Sequence, residues 1–231
     1  MTIQLQTFKR RSLTAAVFVA VMLTGLLWNQ YSFLILFLII HFGCWYELVN
    51  LLRKIYPGNY LLYCLAGLIY ISLPCLMMLD LRSGGNIFMG NFVFTTTGKI
   101  IACAIIFSIW INDTMAYIVG SLIGKTPLSA ISPNKTWEGT IGGTLICIAL
   151  ISCLGYTIPM ARTIPFKNWV IIAALSALFG TIGDLLESKL KRMANIKDSG
   201  SFMPGHGGFL DRFDSFLIAT VSVWLYINLV I

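Results

Sequence analysis

The acidic side chains that could bind a metal are few, and most of them lie in the second half of the chain. Seven of the nine Asp and Glu residues follow residue 112. Asp184 and Glu187 are three residues apart, as are Asp211 and Asp214, so each pair would share one face of a helix. Oxygen ligands in this number suit Mg²⁺, which binds one or two carboxylates together with substrate phosphates. The spacing predicts a metal site if the helices that carry these pairs converge.

A short polar stretch contains the second of these pairs. Residues 197–215 read KDSGSFMPGHGGFLDRFDS and include four glycines, one histidine and two basic residues. Glycine lacks a Cβ and tolerates positive φ, so the backbone N–H groups of residues 204–208 can approach an anion closely. Cationic side chains flank this loop: Lys191, Arg192, Lys197 and Arg212. The stretch suits phosphate groups, although a basic loop at a membrane surface would also bind anionic lipid.

A second polar loop, residues 132–136, reads SPNKT and precedes an apolar run. Asn134 or Thr136 would cap the N-terminus of the helix that follows. The N–H groups of a helix N-terminus, with Lys135 beside them, form a site that favours phosphate. Each loop alone is weak support. Metal carboxylates, phosphate-binding backbone and several cations together indicate phosphoryl or nucleotidyl transfer, in which the protein mainly positions groups and neutralises charge.

The composition of the chain identifies the elements that must position these residues. Of 231 residues, 58% are hydrophobic and 11% are charged, whereas soluble domains have about 25% charged residues. Apolar runs near 20 residues recur, and each could cross a bilayer as a helix. The fold expected is therefore an all-α polytopic membrane protein, with a soluble helical bundle as the weaker alternative. The six cysteines lie in or beside apolar runs without a C-x-x-C pair, which is typical of buried thiols.

We predict seven membrane spans, the first of them an uncleaved helix. Residues 80–98 form a polar, glycine-rich segment whose apolar part is too short to span. By motif content, residues 1–98 would be a lipid-side scaffold and residues 99–231 the catalytic region of one integrated domain. The predicted spans are residues 12–28, 31–52, 60–79, 99–120, 139–158, 168–187 and 213–231.

The basic residues orient these spans. Twelve of the sixteen Lys and Arg residues fall on the side that holds residues 1–11, 53–59, 121–138 and 188–212. The positive-inside rule places that side in the cytoplasm, with the N-terminus inside and the C-terminus outside. Both polar loops then face the cytoplasm. The net charge of +7 is explained by topology and anionic lipid headgroups, so no nucleic-acid partner is expected.

Carboxylates in or near a bilayer are costly unless they are paired, hydrated or bound to metal, so they are candidate functional residues. Asp113, Tyr117 and Gly120 mark a polar stripe on the fourth predicted span. Asp211 next to Arg212 could instead form a plain interfacial ion pair, and Asp214 alone does not decide between function and structure. Glu47 and Asp80 stand apart from the others in the sequence.

The motifs together resemble the signature of the phosphatidate cytidylyltransferases, also called CDP-diacylglycerol synthases. The resemblance covers residues 110–215 well, whereas the first hundred residues match only in character. Supporting motifs are Asn112-Asp113-Thr114, residues 132–139 (SPNKTWEG) and residues 183–188 (GDLLES). The signature itself reads Ser188-x-x-Lys191-Arg192, Lys197-Asp198-Ser199, Pro204-Gly205-His206-Gly207-Gly208 and Asp211-Arg212-x-Asp214-Ser215.

The resemblance implies the reaction of CTP with phosphatidate to give CDP-diacylglycerol and pyrophosphate at the cytoplasmic face of the cell inner membrane. It implies Mg²⁺ held by Asp184, Asp211 and Asp214, with a second cation such as K⁺, and a homodimer. Lys191 and Arg212 would act in catalysis, and His206 is interpreted as a ligand or phosphate contact rather than a structural loop residue. The substrate-binding residues implied are Asp113, Asn134, Lys135, Glu138, Glu187, Ser188, Arg192, Lys197, Asp198, Gly205, His206, Gly207 and Gly208.

Three alternatives remain at this point. A cytidylyltransferase for another lipid phosphate, such as an isoprenoid ether lipid, would carry the same motifs. A CDP-alcohol phosphotransferase is disfavoured because its D-G-x-x-A-R run is absent from the sequence. A polytopic transporter would explain intramembrane carboxylates but not their conjunction with Lys, Arg and Gly, and inverted repeats that would favour it are not visible.

Overall fold

The structure is a computed structural model that describes residues 2–85, 87, 93–202 and 207–230, and for residues 2–11 it describes the backbone alone. The described part is almost entirely helical. Its strands form one antiparallel hairpin, β1 (Pro127–Ser129) and β2 (Ser132–Thr136). The helices are α1 (Thr2–Leu27), α2 (Gln30–Ile55), α3 (Tyr60–Gly67), α4 (Leu73–Arg82), α5 (Thr96–Ile123), α6 (Trp137–Thr157), α7 (Phe166–Met193) and α8 (Leu210–Val230).

Six helical segments among the described residues are long and apolar enough to cross a membrane. The prediction of an all-α polytopic membrane protein is therefore confirmed. The first predicted span coincides with a shorter apolar helix, Ser12–Leu27, and the count of seven stays a prediction. The six segments are Gln30–Ile55, Tyr60–Arg82, Thr96–Ile123, Trp137–Thr157, Phe166–Met193 and Leu210–Val230.

The segment Tyr60–Arg82 is not one regular α-helix. A π-helical turn, Leu68–Ser72, joins α3 to α4, and Pro74 is the second residue of α4. Proline has no N–H, and its ring crowds the carbonyl four residues earlier, so the backbone cannot continue a regular ladder there. The widened turn is stabilised by the hydroxyl of Ser72, which accepts a hydrogen bond from Trp45 Nε1 at 2.9 Å and pairs with His41 Nε2 at 2.9 Å.

Packing groups the residues into two compact units, residues 1–72 with 190–213, and residues 73–189 with 214–231. The division by motif content at residue 98 stays a prediction. In the first unit, α1 and α2 are joined by a tight turn in which Asn29 Oδ1 accepts from Ser32 N at 2.8 Å and Ser32 Oγ accepts from Asn29 N at 3.1 Å. This reciprocal cap satisfies backbone donors that the start of α2 would otherwise leave unpaired.

In the second unit, α5 and α6 pack at very short range. A Cβ on Gly143 would lie 2.8 Å from the Cβ of Ala116, and one on Gly139 would lie 2.9 Å from the Cα of Gly120. Only glycine at these positions allows the two backbones to approach so closely. Asn112 adds a polar tie, since its Oδ1 accepts from Thr144 Oγ1 at 3.3 Å in α6. This packing places the polar face of α5 beside the start of α6.

Helix ends differ from the predicted spans in one way that matters for function. Helix α7 continues to Met193, six residues beyond the predicted end of the span at residue 187. Ser188, Lys191 and Arg192 therefore lie in its last turns, and the i, i+3, i+4, i+7 spacing of Asp184, Glu187, Ser188 and Lys191 had predicted one helix face for Ser188 and Lys191. Basic side chains are favoured there by the partial negative charge of the helix C-terminus.

Candidate functional site

Three carboxylates converge in the second unit. Asp184 and Glu187 on α7 and Asp214 on α8 each offer an oxygen, and these oxygens all lie within 4.8 Å of one another. Glu187 is fully buried, and Asp214 is 7% exposed. The spacing predicts that both Asp184 and Glu187 approach Asp214 if the helices converge, whereas the resemblance assigns Glu187 to substrate binding. The structure places Glu187 with Asp184 and Asp214 in the group that could hold a metal.

Glycine in α7 makes this convergence possible. A Cβ on Gly183 would collide with the carbonyl oxygen of Asp214. One turn earlier, a Cβ on Gly180 would be 3.5 Å from the Cβ of Ser215, which is an ordinary contact. Because Gly183 precedes Asp184 directly, the same short segment both brings α8 close and supplies a carboxylate.

The charge around the cluster is strongly negative. Asp214 interacts electrostatically with the carboxylates of Glu187 and Asp113 and with the ammonium of Lys135. Lys135 also forms a salt bridge with Asp184. One ammonium does not balance four carboxylates, and like charges this close repel unless a cation lies among them. The all-oxygen donor set fits a hard divalent cation.

The hairpin between α5 and α6 positions Lys135. Thr136 caps α6, since its Oγ1 accepts from Gly139 N at 3.1 Å, which resolves the choice between Asn134 and Thr136. Glu138 closes the base of the hairpin: it accepts from Lys125 N at 3.2 Å and from Thr126 Oγ1 at 2.9 Å. Asn134 is exposed. The substrate-binding roles of Asn134 and Glu138 stay predictions. In the structure, Glu138 accepts hydrogen bonds from Lys125 and Thr126.

A second carboxylate network lies in the first unit and is centred on Asp211. Its Oδ1 accepts from Lys191 Nζ at 2.6 Å, and its Oδ2 accepts from Ser199 N and from Gly208 N, each at 2.8 Å. The Lys191 and Asp211 side chains are 14% and 7% exposed. Asp211 therefore closes the signature loop by binding residues near both of its ends. Its predicted metal role, like the catalytic role of Lys191, stays a prediction.

Glu47 belongs to the same network, although the sequence placed it apart. It is 4% exposed and accepts from Ser199 Oγ at 2.6 Å, from Phe209 N at 2.9 Å and from Leu210 N at 2.8 Å. The sequence did contain a signal for this role, because an ionisable side chain inside an apolar span has a partner or a function by default.

Of the glycines at residues 204–208 of the signature loop, the structure describes Gly207 and Gly208. Gly207 has φ of +82°, a region that favours glycine. The N–H of Gly208 donates a hydrogen bond to the carboxylate of Asp211. Gly205 and His206 lie outside the described residues, and their predicted roles stay untested.

The remaining predicted phosphate-binding residues lie at the surface. Arg192, Lys197 and Arg212 are exposed, and so is Asp198. Ser188 is partly exposed on α7. Guanidinium and ammonium groups donate charge-assisted hydrogen bonds to phosphate oxygens.

These features define a class: a polytopic helical membrane protein with intramembrane carboxylates that suit a divalent cation and with lysine at the same cluster. Residues 60–230 match the Cytidylyltransferase family, and the chain belongs to that family. The match covers the carboxylate cluster, the hairpin and the signature loop. The resemblance identified from the motifs is thereby confirmed.

Curated relatives carry a consistent name. The chain is 41% identical over 156 residues to the phosphatidate cytidylyltransferase of Staphylococcus saprophyticus, which is 67% of this chain and 54% of that protein. It is 47% identical over 126 residues to the Bacillus subtilis phosphatidate cytidylyltransferase, 54% of this chain and 44% of that protein. The chloroplastic phosphatidate cytidylyltransferase 4 of Arabidopsis thaliana is 41% identical over 143 residues, 62% of this chain and 36% of that protein. The matched part thus spans about half of these relatives or less.

Proposed function

We propose that this chain is a phosphatidate cytidylyltransferase, which converts CTP and phosphatidate to CDP-diacylglycerol and pyrophosphate in phospholipid biosynthesis. The observation that carries the proposal is the convergence of Asp184, Glu187 and Asp214 beside Lys135 within apolar helices. Membership of the Cytidylyltransferase family and the names of the relatives support it. A membrane enzyme is suited to one water-soluble and one lipid substrate.

The side chains of the protein need to form or break few covalent bonds in this reaction. A phosphate oxygen of phosphatidate attacks the α-phosphorus of CTP, the bond from that phosphorus to the bridging oxygen of the β-phosphate breaks, and pyrophosphate leaves. A phosphate monoester with a second pKa of about 6 is largely ionised at neutral pH, so its oxygen needs no general base. Positioning the two substrates and neutralising their charge therefore account for most of the catalysis.

The residues divide these tasks. Asp184, Glu187 and Asp214 would hold Mg²⁺, which supplies charge neutralisation to the triphosphate when it is bound. Lys135 lies at the same cluster and would bind phosphate oxygens when they enter. Arg192, Lys197 and Arg212 are exposed and would bind the phosphates of the two substrates. A second cation such as K⁺ and the metal role of Asp211 are part of the proposal on the strength of the resemblance.

The proposal also includes an orientation and an assembly. The excess of Lys and Arg on one side of the spans supports a cytoplasmic inner membrane enzyme whose polar loops face the cytosol, where CTP is present. The N-terminus would be cytoplasmic and the C-terminus on the opposite side. Membrane lipids would surround the exposed apolar side chains of the spans. A homodimer is expected from the resemblance alone.

The test uses purified protein in mixed micelles with phosphatidate and labelled CTP. We expect labelled CDP-diacylglycerol to form with Mg²⁺, formation to stop when EDTA is added, and excess Mg²⁺ to restore it. An isoprenoid ether lipid phosphate supplied in parallel should be a poorer substrate. Folded protein that forms product with neither lipid would overturn the proposed function, and product with the isoprenoid phosphate alone would replace the lipid substrate.

A further inference from the structure

Glu47 is a buried carboxylate in a membrane-spanning helix, and its carboxylate binds the signature loop. The hydrogen bonds from Ser199, Phe209 and Leu210 join residues 152 to 163 positions apart in the chain. Two of the three donors are backbone N–H groups at the start of α8. A carboxylate that accepts from the first N–H groups of a helix satisfies donors that have no partner inside the helix and benefits from the helix dipole.

The loop is shaped to admit this carboxylate. A Cβ on Gly200 or on Gly208 would collide with the oxygens of Glu47. A Cβ on Gly43, one turn before Glu47 on α2, would lie 2.5 Å from the ring of Phe209. These three glycines lie on both sides of the contact between α2 and the loop. Two glycines of the loop therefore leave space for a side chain of the same protein.

Ser199 connects Glu47 to Asp211. Its Oγ lies 2.6 Å from Glu47 Oε2 and 2.9 Å from Asp211 Oδ2, and its N–H donates to Asp211 Oδ2 at 2.8 Å. A hydroxyl has a single proton, which can serve one carboxylate at a time. Glu47 therefore holds Ser199, and Ser199 in turn holds the carboxylate that pairs with Lys191.

We propose that Glu47 is a positioning residue for the transferase reaction, and this inference rests on the proposed function. Glu47 fixes both ends of the loop that runs from residue 199 to residue 210, and through Ser199 it fixes Asp211 and Lys191. It acts through its hydrogen bonds to Ser199, Phe209 and Leu210. Lys197 and Arg212, which are predicted to bind phosphate, lie two residues before this loop and two residues after it. A helix that lacks every signature motif thus supplies the anchor for the signature loop.

The first readout is independent of turnover. Glu47→Gln keeps the side-chain size but turns an NH₂ group toward N–H donors, so hydrogen bonds are lost. Hydrogen exchange of a peptide spanning residues 199–210 should speed up in Glu47→Gln compared with wild-type protein, by roughly tenfold or more. Equal exchange in the two proteins would overturn the anchor itself.

The second readout separates positioning from stability. At a temperature far below unfolding, Glu47→Gln should lower kcat by roughly tenfold to a hundredfold, since small misplacements cost that much. Glu47→Asp, which keeps the charge, should recover a large part of the loss. Glu47→Gln and Ser199→Ala should not be additive, because they break one connected network. A kcat per folded molecule within twofold of wild type in Glu47→Gln would show an anchor for stability alone and overturn the proposal.

Asp80→Asn is the matched control. Asp80 is also a buried carboxylate, 1% exposed, that accepts from a backbone N–H (Ile87, 3.0 Å) and from Trp224 Nε1 at 2.7 Å. It should lower thermal stability while leaving kcat within about twofold. An equal kcat loss in Asp80→Asn would make the Glu47 effect nonspecific and overturn the proposal. If wild-type protein shows no CTP turnover, the proposed function fails, and the exchange experiment still decides the anchor.

Discussion

At the scale of single residues, the main chemical feature is a group of three carboxylates. Their oxygens lie within 4.8 Å of one another, and they belong to Asp184, Glu187 and Asp214. At that distance and an effective dielectric constant near 20, each pair of charges repels by about 3 to 4 kcal/mol. The salt bridge from Lys135 to Asp184 offsets part of this repulsion. A divalent cation would offset more, and its loss should be visible in the stability of the protein as well as in turnover.

Asp214→Asn tests the cluster directly. We expect turnover to fall at least about a hundredfold, because an amide is a much weaker ligand for Mg²⁺ than a carboxylate. The rise in unfolding temperature that Mg²⁺ causes in wild-type protein should disappear. Without metal, the variant should unfold no earlier than wild type, because one repulsive charge is gone. A retained Mg²⁺ shift in thermal unfolding would remove Asp214 from the metal site.

Asp211→Asn distinguishes two roles for the neighbouring carboxylate on α8. The variant loses the charge that pairs with Lys191, so we expect turnover to fall about tenfold or more. If Asp211 is a metal ligand, the Mg²⁺ shift in unfolding temperature disappears as in Asp214→Asn. If it serves only the loop, that shift persists while exchange of residues 199–210 rises. Wild-type turnover in this variant would contradict both roles.

Lys135→Met tests whether the lysine competes with metal and binds phosphate. Removing its ammonium from Asp184 should lower the Mg²⁺ concentration needed for half-maximal thermal stabilisation, since the metal no longer displaces a cation. Turnover should nevertheless fall and the KM for CTP should rise, because a phosphate contact is lost. Lys189→Met, an exposed position on α7, removes the same charge and should change neither quantity by more than about twofold.

At the scale of elements, the contact between α7 and α8 decides whether the cluster exists. Gly183 leaves no room for a Cβ against the Asp214 carbonyl. Gly183→Ala should separate the helices, destabilise the protein by roughly 1 to 3 kcal/mol and reduce turnover. The measurements are thermal unfolding and CTP turnover. Gly58→Ala is the control, because a Cβ there meets nothing within 4 Å, and equal effects in the two variants would show that the contact is unimportant.

The hairpin is the second element with a specific task. Local hydrogen bonds accepted by Thr136 Oγ1 and by the Glu138 carboxylate determine its shape, and Lys135 directly precedes Thr136 in the sequence. The helix that follows needs Thr136 as its cap, so the start of α6 and the position of Lys135 are coupled. The sequence predicted the cap and the loop but not the strand pairing, because strands of three and five residues with few apolar side chains carry no alternating signal.

At the scale of the whole molecule, the distribution of Lys and Arg predicts the orientation of the chain across the membrane. In a cysteine-free background, Ala130→Cys in the hairpin turn and Met160→Cys after α6 are both at exposed positions. An impermeant maleimide should label Ala130→Cys only from the cytoplasmic side and Met160→Cys only from the opposite side, as the distribution of Lys and Arg requires. Labelling of both residues from the same side would contradict the proposed topology.

Local patterns in the sequence determined much of this protein. Hydropathy and charge predicted the apolar spans, residue spacing placed Asp184 and Glu187 on one helix face, and the motifs identified the family. These properties depend on residues a few positions apart, so no knowledge of packing was needed. The same reasoning left Glu47 apart, and its grouping of Asp211 with the metal ligands stays a prediction.

Only the tertiary structure decided which carboxylates from distant parts of the chain lie together or bind the same side chain. It brought Asp214 to Asp184 and Glu187 through the close approach at Gly183, and it joined Glu47 to Asp211 through Ser199. Glu47 and Ser199 are 152 positions apart, and no periodicity in the chain relates them. Their contact depends on how apolar faces and glycine gaps of separate helices fit together, and that fit is a property of the packed chain rather than of any local stretch.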